Sequence, residues 1–358
     1  MAEPRIIEIG EVPLIRHAFP ATTTFFSTFP DRPGDLAPGD RHVTLAALPR
    51  LLRLLRSQES DLIVVQPAPS SPLSLDGLSR ALFRRSTLRG RPALSRGWAQ
   101  LLVRLASDIP VAVWDSGDAP LIARHTLPLL DRARVYFKRE LPVDRWQLFM
   151  GGPSGRVPTP RYRTVERHRE RIDKFRPIAL GLPFGTLDHP DAVPVPASQK
   201  TADVFFAGQV HASSTVRARG IAELSALRET GLRIDIPEAP LPRGEFLRRC
   251  ASAHLVWSPE GLGWDCFRTY EAALCGSVAV QNRPTIERHR PLEDGVHVLH
   301  YDVEPGALSR VVRAALADKP RLAHMAEAAR RHVLEHHTPV AIARHMVSEA
   351  LAITRGQP

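Results

Sequence analysis

Short apolar, β-branched runs recur along the chain, each followed by a turn or by a stretch with helical spacing, and this alternation constrains the fold most. In the first half the runs are Arg5–Ile9, Asp61–Val65, Val111–Trp114, Arg134–Phe137 and Pro177–Leu180. Strands that are apolar on both faces belong to a parallel sheet with helices packed on either side. Between them, His42–Ser57 places Leu45, Leu48, Leu51, Leu52 and Leu55 on one helical face, with Pro49 expected to kink or delay the start. Leu121–Leu130 is a second crossover, also interrupted by a proline. Ser70–Gly97, rich in Ser, Arg, Gly and Pro, reads as a surface loop with a short helix.

The pattern breaks at His189–Ser198, whose prolines favour an extended connection, and then restarts. Asp203–Gly208 reads as strand and glycine turn, Ser214–Thr230 as helix, Leu232–Ile236 as strand and Arg243–Ala253 as helix. His254–Ser258, Ser277–Gln281 and Val296–Tyr301 follow as strands, and Gly306–Leu351 as two or three helices, the last opened by Thr338-Pro339. A length of 358 residues suits two such domains. The expected division is an N-terminal domain 1–190, a Pro-rich linker 191–200, a C-terminal domain 201–337 and a terminal helix 338–358, with a return of that helix to the N-terminal domain as one option.

A net charge of +10 raises nucleic acid as a partner, but only four of the 48 basic residues are lysines and the arginines are scattered. No helix-turn-helix, zinc finger or aromatic-studded basic strand presents them, so nucleic acid is not expected as a partner. A solvated, arginine-biased surface accounts for the surplus, with one anionic small-molecule site or an anionic membrane surface as further uses. No apolar run approaches the roughly 20 residues of a spanning helix, and Met1–Arg5 does not open a signal sequence. The expected location is cytoplasmic, with peripheral contact at the inner membrane face as the alternative. Cys250, Cys266 and Cys275 show no disulfide or zinc spacing, and His289, His332, His336 and His337 lack a suitably spaced carboxylate, so no metal site is expected.

The most informative segment runs from Ser258 to Val280. A strand ends at Ser258, a loop with Gly261 and Gly263 follows, a helix starts near Cys266 or Phe267, and Gly276 stops it before the next strand. In an open parallel sheet such a loop lies at the carboxyl ends of the strands, where a helix N-terminus offers unpaired N–H groups to phosphate. Arg268 and Glu271 share a helical face. They suit either a diphosphate clamp beside a ribose-binding carboxylate, or an ordinary helical ion pair. Trp257 and Trp264 flank the loop, where either could stack on a base or sugar, although the place of Trp257 within the strand favours the core.

This segment resembles the donor-binding half of the two-Rossmann-domain (GT-B) glycosyltransferases, in particular their exostosin-like and group 1 branches, which show a strand, a glycine loop, R-x-x-E-A and a glycine before a short apolar strand. The resemblance covers Asp203 to about Leu351. It implies an α/β fold of two Rossmann-like domains with an interdomain cleft, and transfer of a sugar from a nucleotide-sugar donor, a co-substrate rather than a cofactor, to a glycan or lipid-linked acceptor or a protein. It further implies that Glu271 binds the ribose, Arg268 the diphosphate, that Gly208 lets the backbone approach the donor, and that Arg217 adds a second cation, with Glu260, Gly261 and Gly263 in the donor loop. Glu260 stands further from Glu271 than the paired glutamates of many group 1 enzymes, a departure from their pattern. His211, after Gly208, is either a donor contact or a solvated loop residue.

In the N-terminal half, Val111–Asp118 and Tyr136–Leu141 look like segments of bacterial relatives of the exostosin-like group. Asp115, at the end of a strand, is the candidate general base; its other reading is an Asx turn that closes the strand. Asp115 and Asp118 are too far apart in sequence for a D-x-D metal clamp, so the expected enzyme is metal-independent, with its own cations stabilising the leaving diphosphate. A nucleotide-sugar epimerase or hydrolase on the same fold, and a non-catalytic nucleotide-sugar or polyanion binding protein, are the alternatives.

Overall fold

The computed structural model of the chain describes residues 3–28, 36, 38–44, 46–57, 59–67, 98–106, 108–150, 166–210 and 215–356. The expected loop Ser70–Gly97 and His211 lie outside the described residues. The chain divides into two compact units, Met1–Ile178 with Ala343–Pro358, and Ala179–Ile342.

The first unit contains β1 (Ile6–Gly10), β2 (Thr23–Ser27), β3 (Arg41–His42), β4 (Leu62–Val65), β5 (Val111–Asp115), β6 (Val135–Lys138) and β7 (Phe175–Pro177). They form one sheet in the order β3-β2-β1-β4-β5-β6-β7, every pairing parallel. Ile7, Ile9, Ile63, Val65, Val111 and Val113 belong to one hydrophobic cluster, while the alternate residues Ile6, Leu62, Val64 and Ala112 are buried as well. Burial on both faces is why these strands read as continuous apolar runs. The crossover helix is Leu48–Arg56, shorter than the expected His42–Ser57, because Pro49 sits in its first turn, where the missing N–H costs nothing. Pro128 plays the same part in helix Leu127–Arg132.

The second unit contains β8 (Ala202–Phe205), β9 (Ile234–Asp235), β10 (Ala253–Trp257), β11 (Val278–Asn282) and β12 (Val298–Tyr301), parallel in the order β12-β11-β10-β8-β9. Phe205, Val256 and Ala279 pack on one side with Leu247, Ala272 and Val333. Val204, Leu255, Trp257 and Val280 pack on the other with Leu224 and Val312. The strand order runs outward from β8 and β10 in opposite directions, so the topological switch point lies at their carboxyl ends. Trp257 is fully buried and its indole N–H donates to the Tyr301 hydroxyl at 3.0 Å. Cys250, Cys266 and Cys275 are free thiols.

The observed boundary differs from the Pro-rich one at 191–200. Ala179, Leu182 and Ala192 join the core of the second unit, the Leu180 N–H donates to Asp265 Oδ2 at 2.6 Å, and Pro194 lies against Gly276. Extended proline segments can therefore line a domain as well as link two. Gly276 ends helix Phe267–Leu274 at φ +74°, and a Cβ there would stand 2.7 Å from Pro194 Cβ, so the position requires glycine twice over. The expected strand Pro177–Leu180 is instead β7, which ends where the second unit begins. The terminal helix Pro339–Thr354 runs into the first unit, where the Arg176 guanidinium pairs with Glu349 at 2.9 Å. No helix among the described residues is long and apolar enough to cross a membrane.

Arg290 adopts a left-handed backbone (φ 44°) unusual for a side chain of its size. Its carbonyl accepts hydrogen bonds from the ring nitrogens of His337 (2.8 Å) and His332 (2.9 Å). His337 is buried against Tyr270, and burial pushes its pKa down to about 3. A folded-state pKa below the unfolded value of about 6.5 means that this contribution to stability is complete above pH 6.5 and is lost as the pH falls toward 3. Urea melts at pH 7.5 and 5.0 should show a drop in stability at the lower pH that is smaller in His337→Asn; an identical drop in both proteins would remove His337 as its source.

Candidate functional site

Two loops meet at the switch point of the second unit: Phe206–Gly208 after β8, and Ser258–Asp265 after β10. Helix Phe267–Leu274 starts beside them and is buried from Arg268 to Leu274. Arg268 is only 8% exposed. Its Nε–H donates to the Ala207 carbonyl at 3.1 Å, its guanidinium lies 5.1 Å from the centre of the Phe206 ring, and its Nη1 is buried without a hydrogen-bond partner among the described residues. A Cβ on Gly208 would stand 2.6 Å from Arg268 Nη2 and 3.2 Å from the Phe206 ring, so glycine is what lets the turn close over the guanidinium.

Arg217, from helix Thr215–Glu229, ties the two loops together. Its Nε–H donates to the Glu260 carbonyl at 2.9 Å and its Nη1 to the Gln209 carbonyl. Burial first, and the charge of Arg268 second, lower its pKa. Two neighbouring buried guanidiniums repel, and an anion beside Arg268 would offset that repulsion. Gly261 N–H donates to Gly263 O at 2.9 Å, which closes the loop, and a Cβ on Gly261 would reach 3.0 Å from Arg217. The Glu260 backbone N–H donates to Asn282 Oδ1 at 2.9 Å and the Asn282 amide donates back to Glu260 Oε2 at 3.1 Å, so this carboxylate fixes the loop to the end of β11.

Glu271 is 3% exposed and makes its ion pair with Arg243, not with Arg268. The shared helical face suggested by the sequence does not become a pair, because Arg268 is taken by Ala207 and Phe206. Arg243 stands at the start of helix Arg243–Ser252, and its Nη2 donates to the buried hydroxyl of Thr186 at 2.6 Å. Burial raises the Glu271 pKa, while Arg243 and then Arg268 oppose the rise. Sequence reasoning missed Arg243, because nothing in a local pattern links it to a carboxylate 28 residues away.

Arg268, Glu271, Arg243 and Gly208 line a cavity of about 800 Å³, whose other walls include Phe206, Phe267 and the loop from Ile236 to Leu241. Cationic and acceptor groups thus line a largely apolar chamber at the carboxyl ends of parallel strands and beside a helix N-terminus. Arg217, Glu260, Gly261 and Gly263 lie outside its lining and shape the loop. Among the described residues no group of three or more His, Cys, Asp or Glu side chains is arranged to hold a metal ion.

In the first unit, Asp115 ends β5 with Oδ1 accepting from the Gly117 N–H at 3.0 Å, the geometry of an Asx turn. Its Oδ2 accepts from the Tyr136 hydroxyl and from Lys138 Nζ, both at 2.9 Å. Lys138 and Tyr136 are each 1% exposed, and burial together with Asp115 pushes the Tyr136 pKa well up. Arg139 pairs with Asp118 at 2.6 Å and donates to the Ser116 carbonyl at 3.0 Å. Lys138, the last residue of β6, and Arg139, which follows it, therefore hold the end of β5 and the turn after it.

Residues 240–348 match the sequence family described as glycosyl transferase-like, a segment that contains Arg243, Glu260, Arg268 and Glu271. No curated protein sequence matches the chain. Among solved structures, it is similar to a glycosyltransferase from Rickettsia africae (TM-score 0.57, 11% identity, covering 100% of both chains). It is likewise similar to the sucrose-phosphate synthase of Thermosynechococcus elongatus (TM-score 0.55, 12% identity, 99% of this chain and 100% of that one). The HepE protein of Anabaena, solved with UDP and glucose, aligns with TM-score 0.53 and 12% identity over 98% of this chain and 100% of its own. The chain thus has the α/β architecture of the GT-B glycosyltransferases, and over residues 240–348 it carries the sequence pattern of the glycosyl transferase-like family.

Proposed function

We propose that the protein transfers a sugar from a nucleotide-sugar donor to the hydroxyl of a glycan or lipid-linked acceptor. The observation that carries this reading is the guanidinium of Arg268, whose Nη1 is buried without a hydrogen-bond partner among the described residues, on a side chain that lines one cavity with Gly208 and Glu271. A diphosphate satisfies the first group and a ribose diol the second, and a nucleoside diphosphate carries both. In the reaction, the bond from the anomeric carbon to the diphosphate oxygen breaks, the acceptor oxygen bonds to that carbon, and the acceptor's proton passes to a base. Arg268, with the charge of Arg217 behind it and the helix N-terminus beside it, meets the negative charge that builds on the leaving nucleotide.

Of the two readings of Asp115, general base and Asx turn, the hydrogen bonds of its carboxylate favour the turn. Its two oxygens already accept three hydrogen bonds, and a proton taken from an acceptor would leave the buried Lys138 without its counter-charge. Glu260, fastened to Asn282, is a loop residue in this account rather than a sugar ligand.

Incubation of the purified protein with UDP-, GDP- and ADP-sugars and a set of acceptors tests the reading: a donor-dependent glycosylated product supports it. Free nucleotide with an altered sugar and no transfer would point to an epimerase or hydrolase, and binding alone to a non-catalytic receptor.

Arg268→Lys and Arg268→Ala should both lower kcat/KM by about 10²-fold, since a point charge does not reproduce a planar, bidentate clamp on phosphate oxygens. A Lys variant with most of its activity would move the diphosphate elsewhere. Turnover should survive excess EDTA, because protein cations do the work of a metal; loss on chelation and recovery with Mg²⁺ would contradict this. Asp115→Asn should lower stability by about 3 kcal/mol, the scale for a buried charge left unpaired, while donor affinity is kept. A variant of unchanged melting temperature but greatly reduced kcat would restore Asp115 as the base.

A further inference from the structure

The cavity of the second unit is lined by two charged side chains that the donor reading above does not use, Glu238 and Arg243. Arg243 lines it beside Glu271, with its side chain 40% exposed, and its guanidinium spans from the Glu271 carboxylate to the Thr186 hydroxyl at 2.6 Å. A cation at the first residue of helix Arg243–Ser252 faces the positive end of the helix dipole and gains nothing from it. What it gains is the pair with Glu271 and a position 5.7 Å from the centre of the Phe246 ring.

We infer that Arg243 is a positioning residue that holds Glu271 as an oriented carboxylate, and that the Thr186–Arg243–Glu271 chain thereby selects ribonucleoside over 2′-deoxyribonucleoside diphosphates. The inference rests on the donor reading and names the group that makes its ribose subsite selective. A carboxylate accepts strongly from both hydroxyls of a vicinal diol only when ionised, and at 3% exposure an unpaired Glu271 would take up a proton. Arg243 occupies Oε1. The rest of the carboxylate's acceptor capacity is then available to the cavity, and the Thr186 contact stops the guanidinium from swinging out. Charged and titratable groups that act on Glu271 are Arg243, Arg268, Cys250 and Cys275, and the two thiols are neutral because burial raises their pKa values. A diol lacking its 2′-hydroxyl offers the carboxylate only one donor, and the advantage of holding it charged shrinks.

The test is calorimetric titration with UDP, GDP and ADP, followed by the 2′-deoxy form of whichever binds most tightly. Wild type should prefer the ribonucleotide by about 10-fold or more. Arg243→Gln should lose most of that preference, binding the ribonucleotide about 10-fold more weakly and the deoxynucleotide nearly as wild type does. The acid limb of ribonucleotide binding should move to higher pH in Arg243→Gln and return toward wild type in Arg243→Lys, while Thr186→Val should lose part of the preference without a change of charge. Equal losses for ribo- and deoxynucleotide would mean that Arg243 only supports the local structure, and unchanged binding would mean that Glu271 needs no partner; either result overturns the inference while leaving the donor site standing. If wild type binds none of the nucleotides, the donor reading fails and this inference with it.

Discussion

Helix Phe267–Leu274 is buried along nearly its whole length and yet carries an arginine and a glutamate. Burying two charges costs more free energy than most contacts supply, so each must be given a partner. Here the partners come from different elements: the Ala207 carbonyl and Phe206 ring for Arg268, Arg243 for Glu271. That requirement fixes where the loop after β8, the start of helix Arg243–Ser252 and the cavity they line stand relative to the helix. It also leaves Nη1 of Arg268 without a hydrogen-bond partner among the described residues.

Much of this architecture was legible in the sequence. Parallel strands buried on both faces leave continuous apolar runs, and the glycine loop before R-x-x-E-A marked the switch point. The first-unit strands β2 and β3 escaped notice. β3 is only two residues long, while Thr23–Ser27 mixes threonines with two phenylalanines in a short run that β-branched and aromatic enrichment does signal. The boundary was misplaced because proline content reports an extended backbone, whereas membership of a unit depends on packing; Ala192 is inside the second core.

The site was less legible than the fold, and for one reason. Sequence spacing shows which residues share a helical face but not which of them another element has already claimed. Arg268 and Glu271 are near neighbours on one helix and have separate partners, and Arg243 entered the site through a long-range contact that leaves no local trace. Asp115 shows the same limit from the other side: a carboxylate at a strand end is well placed for catalysis or for a turn, and the buried Lys138 and Tyr136 on the neighbouring strand, both bonded to it, favour the turn.

The proposed transfer depends on docking of the donor's diphosphate on Arg268. A crystal structure with a bound nucleoside diphosphate tests it most directly. The predicted result is a phosphate oxygen within hydrogen-bonding distance of Arg268 Nη1, with the ribose hydroxyls on Glu271 and the base in the chamber bounded by Ile236 to Leu241. A nucleotide bound elsewhere, with Arg268 Nη1 still unpartnered, would contradict it.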